Sequence, residues 1–219
     1  MKHEWRKAEK DIYLPKNKPQ FIDIPEYQFI TIAGKGNPND SPFADRIGAL
    51  YAVAYAIKMT LKKEAVADRH NDYTVYPLEG VWDISEKAKK EFNGAIDKNE
   101  LVYQLMIRQP DFVTPDFVQK MIALSRQKKP NALIDQVKFE RISEGPCIQM
   151  LHLGSYDEED KSFREMEDFA ESSNLERVSK IHREIYLSDF RKVAPDKLKT
   201  VLRFKVRSSK SGHQSDQST

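Results

Sequence analysis

Residues 182–189, HREIYLSD, place a carboxylate and a phenol on the same side of a predicted strand. Their apolar positions alternate with the two-residue period of a half-buried strand. One side of this strand carries Ile181, Arg183, Ile185 and Leu187, and the other carries His182, Glu184, Tyr186 and Ser188. The second side is either wet surface or the floor of a binding site.

Glu184 is the first candidate for a chemical role. A lone glutamate on a strand is most often a solvated surface residue. Against that alternative, a gapless alignment of TVYPLEGVW with SKIHREIYL equates Glu184 with Glu79, which lies near Trp82. We expect both glutamates to face one seam. A carboxylate against aromatic walls loses hydration, which suits it to act as a general base or as a counter-charge for a cation.

Four aromatic residues are candidates for the walls of such a site: Trp82, Tyr103, Tyr156 and Tyr186. Aromatic side chains offer flat surfaces to planar ligands and can stack on a cation. Ordinary core or rim packing is the alternative for each of them. Tyr156 lies at the turn before a predicted helix, so we assign its hydroxyl group, with Glu184, to catalysis by positioning water or polarising a ligand oxygen.

The other reactive residue types form no recognisable metal or cofactor motif. His152 and His182 fall near the proposed site and are assigned to ligand contacts. Because no third ligand stands at a suitable spacing for a metal ion, structural or hydrogen-bonding roles are favoured over metal binding. Cys147 lies in an apolar strand without an activating neighbour, which indicates an inert thiol. The segment GKGNPND lacks the Gly-Lys-Ser/Thr ending of a phosphate-binding loop. We therefore predict no metal and no organic cofactor.

The elements that must position these residues occur in the same order in each half of the chain. The predicted elements of the first half are a strand at 26–36, a helix at 41–64 and strands at 72–82 and 99–108. Those of the second half are a strand and turn at 145–160, a helix at 158–173 and strands at 180–189 and 198–206. A helix over 114–130 separates the halves, and this mixture predicts the α+β class.

The repeated order predicts an internal duplication. Aligning FITIAGKGNPND with CIQMLHLGSYDE equates Gly36 with Gly154. We predict a tandem pseudo-twofold pair of strand-helix-strand-strand modules, at about residues 20–110 and 136–207, with antiparallel sheets around a central cleft. A linker helix falls within about 111–135, residues 1–207 form a single domain, and the polar residues 208–219 form a disordered tail. Chance likeness between two segments of this common order is the alternative.

The composition limits the partners. The 36 basic and 34 acidic residues leave a formal net charge of only +2, which disfavours nucleic acid as the main partner. The single cysteine excludes an intramolecular disulfide. The N-terminal stretch has no apolar core of a signal peptide, and no run approaches the about 18 apolar residues of a membrane span. We expect a cytoplasmic protein without a nucleic-acid or membrane partner.

Five segments in order resemble the GyrI-like small-molecule-binding family, specifically its stand-alone bacterial branch. These segments are VYPLEGVW, LMIRQPDFVT, EGPCIQMLHLGSYDEE, HREIYLSD and PDKLKTVLRFKV. The resemblance runs from about residue 5 to residue 207, and it implies paired modules facing one cleft. Glu184 stands at the position of the acidic pocket residue of the family. Asp83, Arg183 and Phe190 depart from the branch pattern, and these departures bear on pocket selectivity more than on fold.

The resemblance implies two functions that the residues alone do not separate. Members of the family include effector-binding domains of multidrug-responsive activators, a DNA gyrase inhibitor, and stand-alone enzymes that hydrolyse cyclopropane-bearing DNA-alkylating natural products. This chain is accordingly expected either to hydrolyse such cyclopropanoid toxins without a cofactor, or to sequester lipophilic cationic drugs. The expected partner in both cases is a planar hydrophobic or cationic small molecule. Inhibition of a macromolecule such as gyrase is a third possibility that rests on fold analogy alone.

Overall fold

The computed structural model describes residues 2–64, 72–128 and 131–209, and it confirms the predicted α+β class. The strands of the described residues are β1 (Gln20–Ile24), β2 (Tyr27–Lys35), β3 (Leu78–Ile84), β4 (Leu101–Gln109), β5 (Lys138–Ile142), β6 (Gly145–Leu153), β7 (Leu175–Arg177), β8 (His182–Tyr186) and β9 (Lys199–Ser208). Their helices are α1 (Trp5–Ala8), α2 (Lys10–Tyr13), α3 (Ser41–Glu64), α4 (Glu86–Lys90), α5 (Pro115–Lys128) and α6 (Glu159–Ser172). Among these residues no helix is long and apolar enough to cross a membrane.

The long elements match the sequence pattern, and the differences occur in short edge elements. β3 begins only at Leu78, because Pro77 has no backbone N–H to continue the ladder towards the predicted start at residue 72. The strands β1, β5 and β7 were not predicted, since runs of three to five residues carry little periodic signal. Most of the tail predicted to be disordered, residues 210–219, lies outside the described residues.

The strands form one antiparallel sheet in the order β1-β6-β9-β8-β3-β4-β2-β5, with β7 added beside β9. β3 and β8 pair at the centre, and each side then repeats the same sequence of elements outward. The edge strand β1 pairs with β6, while β5 pairs with β2, so each half of the sheet ends in a strand from the other half of the chain. The paired modules are therefore fused into a continuous sheet with a pseudo-twofold axis between β3 and β8.

The cross-strand pairs support one predicted alignment and correct the other. Gly36 and Gly154 both follow the second strand of their hairpin with positive φ angles of 100° and 134°, which supports their equivalence. From those hairpins the pairs run Gly34–Tyr103–Trp82 in one half and His152–Thr200–Tyr186 in the other. Trp82 is therefore the counterpart of Tyr186, and Gly80, not Glu79, is the counterpart of Glu184. The gapless alignment was wrong by one residue.

Different parts of the chain cover the two faces of the sheet. The helix face carries Trp82 and Glu184 and packs against α3 and α6, and the ring centroid of Phe43 of α3 lies 5.7 Å from that of Trp82. We call the opposite face the N-terminal face, because residues 11–13 lie against it. There Tyr13 donates a hydrogen bond to Glu79 across 3.5 Å, and the Arg203 guanidinium donates to the Ile12 carbonyl across 3.0 Å.

Candidate active site

The candidate site lies on the helix face, where the central strands β3 and β8 pass between α3 and α6. Because cross-strand partners share a face, Gly80 opposite Glu184 and Trp82 opposite His182 all point to this side. The sequence-predicted alternation of β8 is confirmed, since His182, Glu184 and Tyr186 face α6 together. These side chains are held by a sheet on one side and a helix on the other.

Glu184 is nearly enclosed, with 8% of its surface exposed. The His182 Nε2 atom lies 3.2 Å from the Glu184 Oε1 atom, within hydrogen-bond distance. The imidazole is fixed in turn by the ring of Phe163 on α6, which meets it edge-on at 4.8 Å. Glu184 is thus a buried carboxylate oriented by a hydrogen-bond partner, as a general base must be.

Tyr186 connects Glu184 to the indole of Trp82. The Trp82 Nε1 atom donates a hydrogen bond of 2.8 Å to the Tyr186 hydroxyl oxygen, so the phenolic proton is free to be donated to Glu184. Burial, and then the charge of Glu184, raise the pKa of Tyr186 well above its ordinary value. The phenol therefore stays protonated and acts as a hydrogen-bond donor in this chain of contacts.

Glu159, the first residue of α6, is a member of the site that the sequence analysis missed. It is 7% exposed and lies beside Glu184, and its Oε1 atom has no hydrogen-bond partner among the described residues. Burial, and then the neighbouring Glu184 charge, raise the pKa of Glu159 well above its ordinary value. The missed signal is helical spacing, because the buried stripe of Ser162, Met166 and Ala170 continues back to residue 159.

Tyr156 closes the site from the solvent side. It lies in the 3₁₀ turn Tyr156–Glu158 before α6, is 37% exposed, and meets the Tyr186 ring edge-on at 5.9 Å. Burial and the charge of Glu184 raise the pKa of Tyr156 to about 12. Its hydroxyl group is therefore protonated at neutral pH and available as a donor at the rim.

The same atoms define which residues could accept a cation. The carboxylates of Glu159 and Glu184 and a ring nitrogen of His182 lie within 4.8 Å of one another. Glu159 joins this group from α6, and His152 does not belong to it. The two neighbouring carboxylates repel each other when both are ionised. Either a bound divalent cation or a single shared proton would relieve this repulsion, and a shared proton requires no additional group.

Glu79 does not join this site, and the expectation that both glutamates face one seam was wrong. Glu79 pairs across the ladder with Ile185 and points to the N-terminal face. There it accepts a hydrogen bond of 2.6 Å from the Arg183 guanidinium, which also lies 3.0 Å from Glu144. Glu79 is thus part of a buried ion-pair network behind the sheet.

Tyr103 and His152 support the site without touching its carboxylates. Tyr103 is buried behind Trp82, with ring centroids 5.0 Å apart, and also packs against Phe43. His152 makes hydrogen bonds of 2.9 Å to the Ser162 hydroxyl and 3.0 Å to the Ser155 carbonyl. These two bonds attach the start of α6 to β6, and so fix the height of Glu159 above the sheet.

Residues 17–207 match the family model described as the GyrI-like small molecule binding domain. The chain belongs to this family. It is 37% identical to a hydrolase from Listeria innocua over 94% of this chain and 100% of that chain, with a TM-score of 0.83. A hydrolase encoded by lin2189 of the same organism is 38% identical with the same coverage and a TM-score of 0.84. An uncharacterized conserved protein from Listeria innocua is 38% identical with the same coverage and a TM-score of 0.83. No curated protein matches the sequence.

Within this GyrI-like domain the three departures from the branch pattern lie outside the carboxylate site. Asp83 points to the N-terminal face and pairs with Lys89 of α4 at 2.6 Å. Arg183 belongs to the buried network with Glu79, and Phe190 is exposed in the loop after β8. Two surface grooves, of about 720 and about 210 Å³, also lie away from Glu184. The residues around Glu184 on the helix face therefore include none of the three departures.

Proposed function

We propose that this GyrI-like protein is a hydrolase acting on planar small molecules that carry a strained cyclopropane ring conjugated to a carbonyl group, as cyclopropanoid DNA-alkylating toxins do. The observation that carries the proposal is the nearly enclosed Glu184 carboxylate. His182 lies within hydrogen-bond distance of it, and the hydrogen-bonded pair of Tyr186 and Trp82 lies beside it. The similarity of 37–38% to hydrolases of Listeria innocua supports a hydrolytic reaction.

Glu184 acts as the general base in this reaction. Its carboxylate takes a proton from a water molecule while the water oxygen forms a bond to a ring carbon. The carbon–carbon bond of the strained ring breaks, and its electron pair moves into the conjugated carbonyl group. Once the resulting oxygen anion takes up a proton, the product has gained one water molecule. General-base assistance contributes about 10²–10⁴-fold, and ring strain supplies driving force that the protein need not create.

The aromatic residues orient the planar ligand over Glu184. Trp82 and Tyr186 are joined by their hydrogen bond directly over Gly80, where a side chain would collide with both of them. Tyr156 stands at the exposed rim, where its protonated hydroxyl group can donate to a ligand oxygen or to the attacking water. The route requires neither a metal ion nor an organic cofactor.

The test is product analysis by mass spectrometry with a cyclopropane-bearing alkylator and catalytic amounts of protein. We expect repeated turnover to a product heavier by one water molecule. Glu184→Gln should lower kcat by about 10²–10⁴-fold while retaining most affinity for a neutral ligand. Glu165→Gln is the matched control, since Glu165 is exposed on the same helix as Glu159. Full turnover by Glu184→Gln would remove this residue from the mechanism.

Sequestration of lipophilic cations is the second candidate, favoured by the two acidic side chains that lie together beside aromatic rings. A carboxylate can serve as counter-ion as well as base. A sequestering protein would bind stoichiometric ligand and release no hydrated product. Glu184→Gln would then weaken the binding of cations without a rate to lose, so affinity and product measurements on one variant separate the two functions.

A further inference from the structure

Glu159 stands where a second catalytic group would be needed, if Glu184 is the base of the proposed hydrolysis. The two side chains come from different elements, α6 and β8, and their carboxyl groups lie side by side in a nearly enclosed space. Two ionised carboxylates in such surroundings repel each other strongly, because little water is present to screen them. One bound proton removes that repulsion.

The hydrogen-bond partners indicate which of the two carries the proton. Glu184 has donors around it, from His182 at 3.2 Å and from the Tyr186 hydroxyl group, and donors stabilise an ionised carboxylate. Glu159 has an oxygen atom without any partner among the described residues. A carboxyl group without donors and nine-tenths buried favours its neutral form. The pair is thus divided into an ionised Glu184 and a protonated Glu159.

We propose that Glu159 is the general acid of the site and that it shares one proton with Glu184. The inference rests on the proposed hydrolysis, to which it adds a second catalytic residue. When the ring opens, the electron pair that reaches the carbonyl group forms an enolate or phenolate oxygen. The Glu159 proton moves to that oxygen, while Glu184 holds the proton taken from water. Transfer of this proton from Glu184 to Glu159 across their contact restores the starting state, and atoms and charge balance.

The titratable groups that face Glu159 belong to this site, to the turn before α6 or to the first turn of α6. They are Glu184, His182 and Tyr186 of β8, Tyr156 and Asp157 of the turn, and Asp160 of α6. The acidic members favour the protonated form of Glu159. A neutral acid facing a single ionised base suits a substrate with a carbonyl oxygen as acceptor.

The experiment compares Glu159→Gln with Glu165→Gln in the full chain. Glutamine keeps a hydrogen-bond donor but cannot transfer a proton, so we expect kcat to fall about 10²-fold with KM nearly unchanged. The wild-type rate should decline on the alkaline side as Glu159 loses its proton, and Glu159→Gln should lack that decline. Glu165→Gln should match the wild type in both measurements.

Three results would overturn the inference. A wild-type rate and pH profile in Glu159→Gln would show that hydrolysis proceeds without this acid, leaving the proposed function intact. Loss of turnover on treatment with a chelator, restored by Zn²⁺, would show that a cation takes the place of the proton.

If the wild type shows no turnover, the proposed function fails separately, and carbon-13 NMR of glutamate carboxyl groups still tests the shared proton. A neutral carboxyl signal at pH 7 that vanishes in Glu159→Gln supports sharing, and its absence from the wild type refutes it.

Discussion

At the scale of single residues, the site depends on what is missing at position 80 as much as on the side chains around it. Gly80 is the cross-strand partner and the pseudo-twofold counterpart of Glu184. A Cβ atom at this position would lie 2.9 Å from the Trp82 Nε1 atom and 3.1 Å from the Tyr186 hydroxyl oxygen. Only glycine therefore lets the hydrogen bond between indole and phenol pass over the sheet beside Glu184. Of the two pseudo-symmetric positions, position 184 provides the carboxylate, and position 80 provides room for the hydrogen bond between Trp82 and Tyr186.

Gly80→Ala should consequently impair the site more than the fold. We expect the methyl group to separate Trp82 from Tyr186 and to reduce turnover or ligand affinity by at least about tenfold, since about 1.4 kcal/mol corresponds to that factor. Ligand affinity by calorimetry and the rate of product formation are the measurements. Gly48→Ala is the control, because Gly48 is exposed on α3 with open space around it and should become more stable by about 0.5–1 kcal/mol. Equal activity of Gly80→Ala and the wild type would contradict this account.

At the scale of elements, the register of β3 against β8 decides which residues meet. A shift of one residue reverses the face of every side chain in a strand. In the observed register Glu184 faces α6, while Glu79 and Arg183 meet at 2.6 Å on the N-terminal face. Arg183 thus lies on the face opposite the candidate site. The arginine by which this chain departs from the branch pattern at position 183 therefore forms a buried ion pair on the N-terminal face.

Arg183→Met should destabilise the protein strongly. The substitution leaves Glu79 buried without its 2.6 Å partner, and removing one member of a buried pair typically costs about 3–5 kcal/mol. Urea unfolding measures the change in the free energy of unfolding. Arg141→Met is the matched control, since Arg141 forms an exposed pair with Glu26 at 3.3 Å and should cost less than about 1 kcal/mol. Similar losses in the two variants would argue against a buried network.

At the scale of the whole molecule, we propose that residues 1–207 form one domain, with modules at about 20–110 and 136–207. The linking region 111–135 contains α5, which packs against α3. The family match begins at residue 17, yet Trp5 and Tyr13 before it are almost completely buried. Tyr13 contacts Glu79 and Arg108 on the N-terminal face of the sheet, and the ring of Trp5 packs against the ring of Tyr13. The fold therefore uses one face for the candidate site and closes the other with its own N-terminal segment.

The pH dependence of global stability should report the carboxyl pair. Since the pKa of Glu159 is raised in the folded state, the folded protein holds a proton that the unfolded chain releases above about pH 4.3. The stabilisation from this proton is complete below that value and is lost as the pH rises through the folded pKa. In that interval the contribution to the free energy of unfolding falls by up to about 1.4 kcal/mol per pH unit.

Urea unfolding of the wild type and Glu159→Gln across this pH range isolates the contribution of Glu159. Other groups, such as the buried Glu144 with a lowered pKa, act in the opposite direction but are present in both proteins. We therefore expect the wild type to lose stability relative to Glu159→Gln as the pH rises. A constant difference between the two proteins would show that Glu159 ionises in the same way folded and unfolded.

The positions that periodic patterns specify were predictable from the sequence. Alternation in β8 put His182, Glu184 and Tyr186 on one face, and helical spacing predicted α3 and α6 at their observed places. Likeness of ordered segments identified the family that residues 17–207 match. These features are encoded locally, in side chains two, three or four positions apart.

Contacts between distant segments could not be predicted in the same way. The sequence by itself determined the α+β class, the GyrI-like family and the face on which Glu184 lies. Only the tertiary structure decided that Gly80 opposes Glu184, that Glu79 pairs with Arg183 behind the sheet, and that Glu159 of α6 reaches the carboxylate of β8. The physical reason is that strand register and helix docking are fixed by the packing of the whole core, and a shift of one residue exchanges the two faces of a strand.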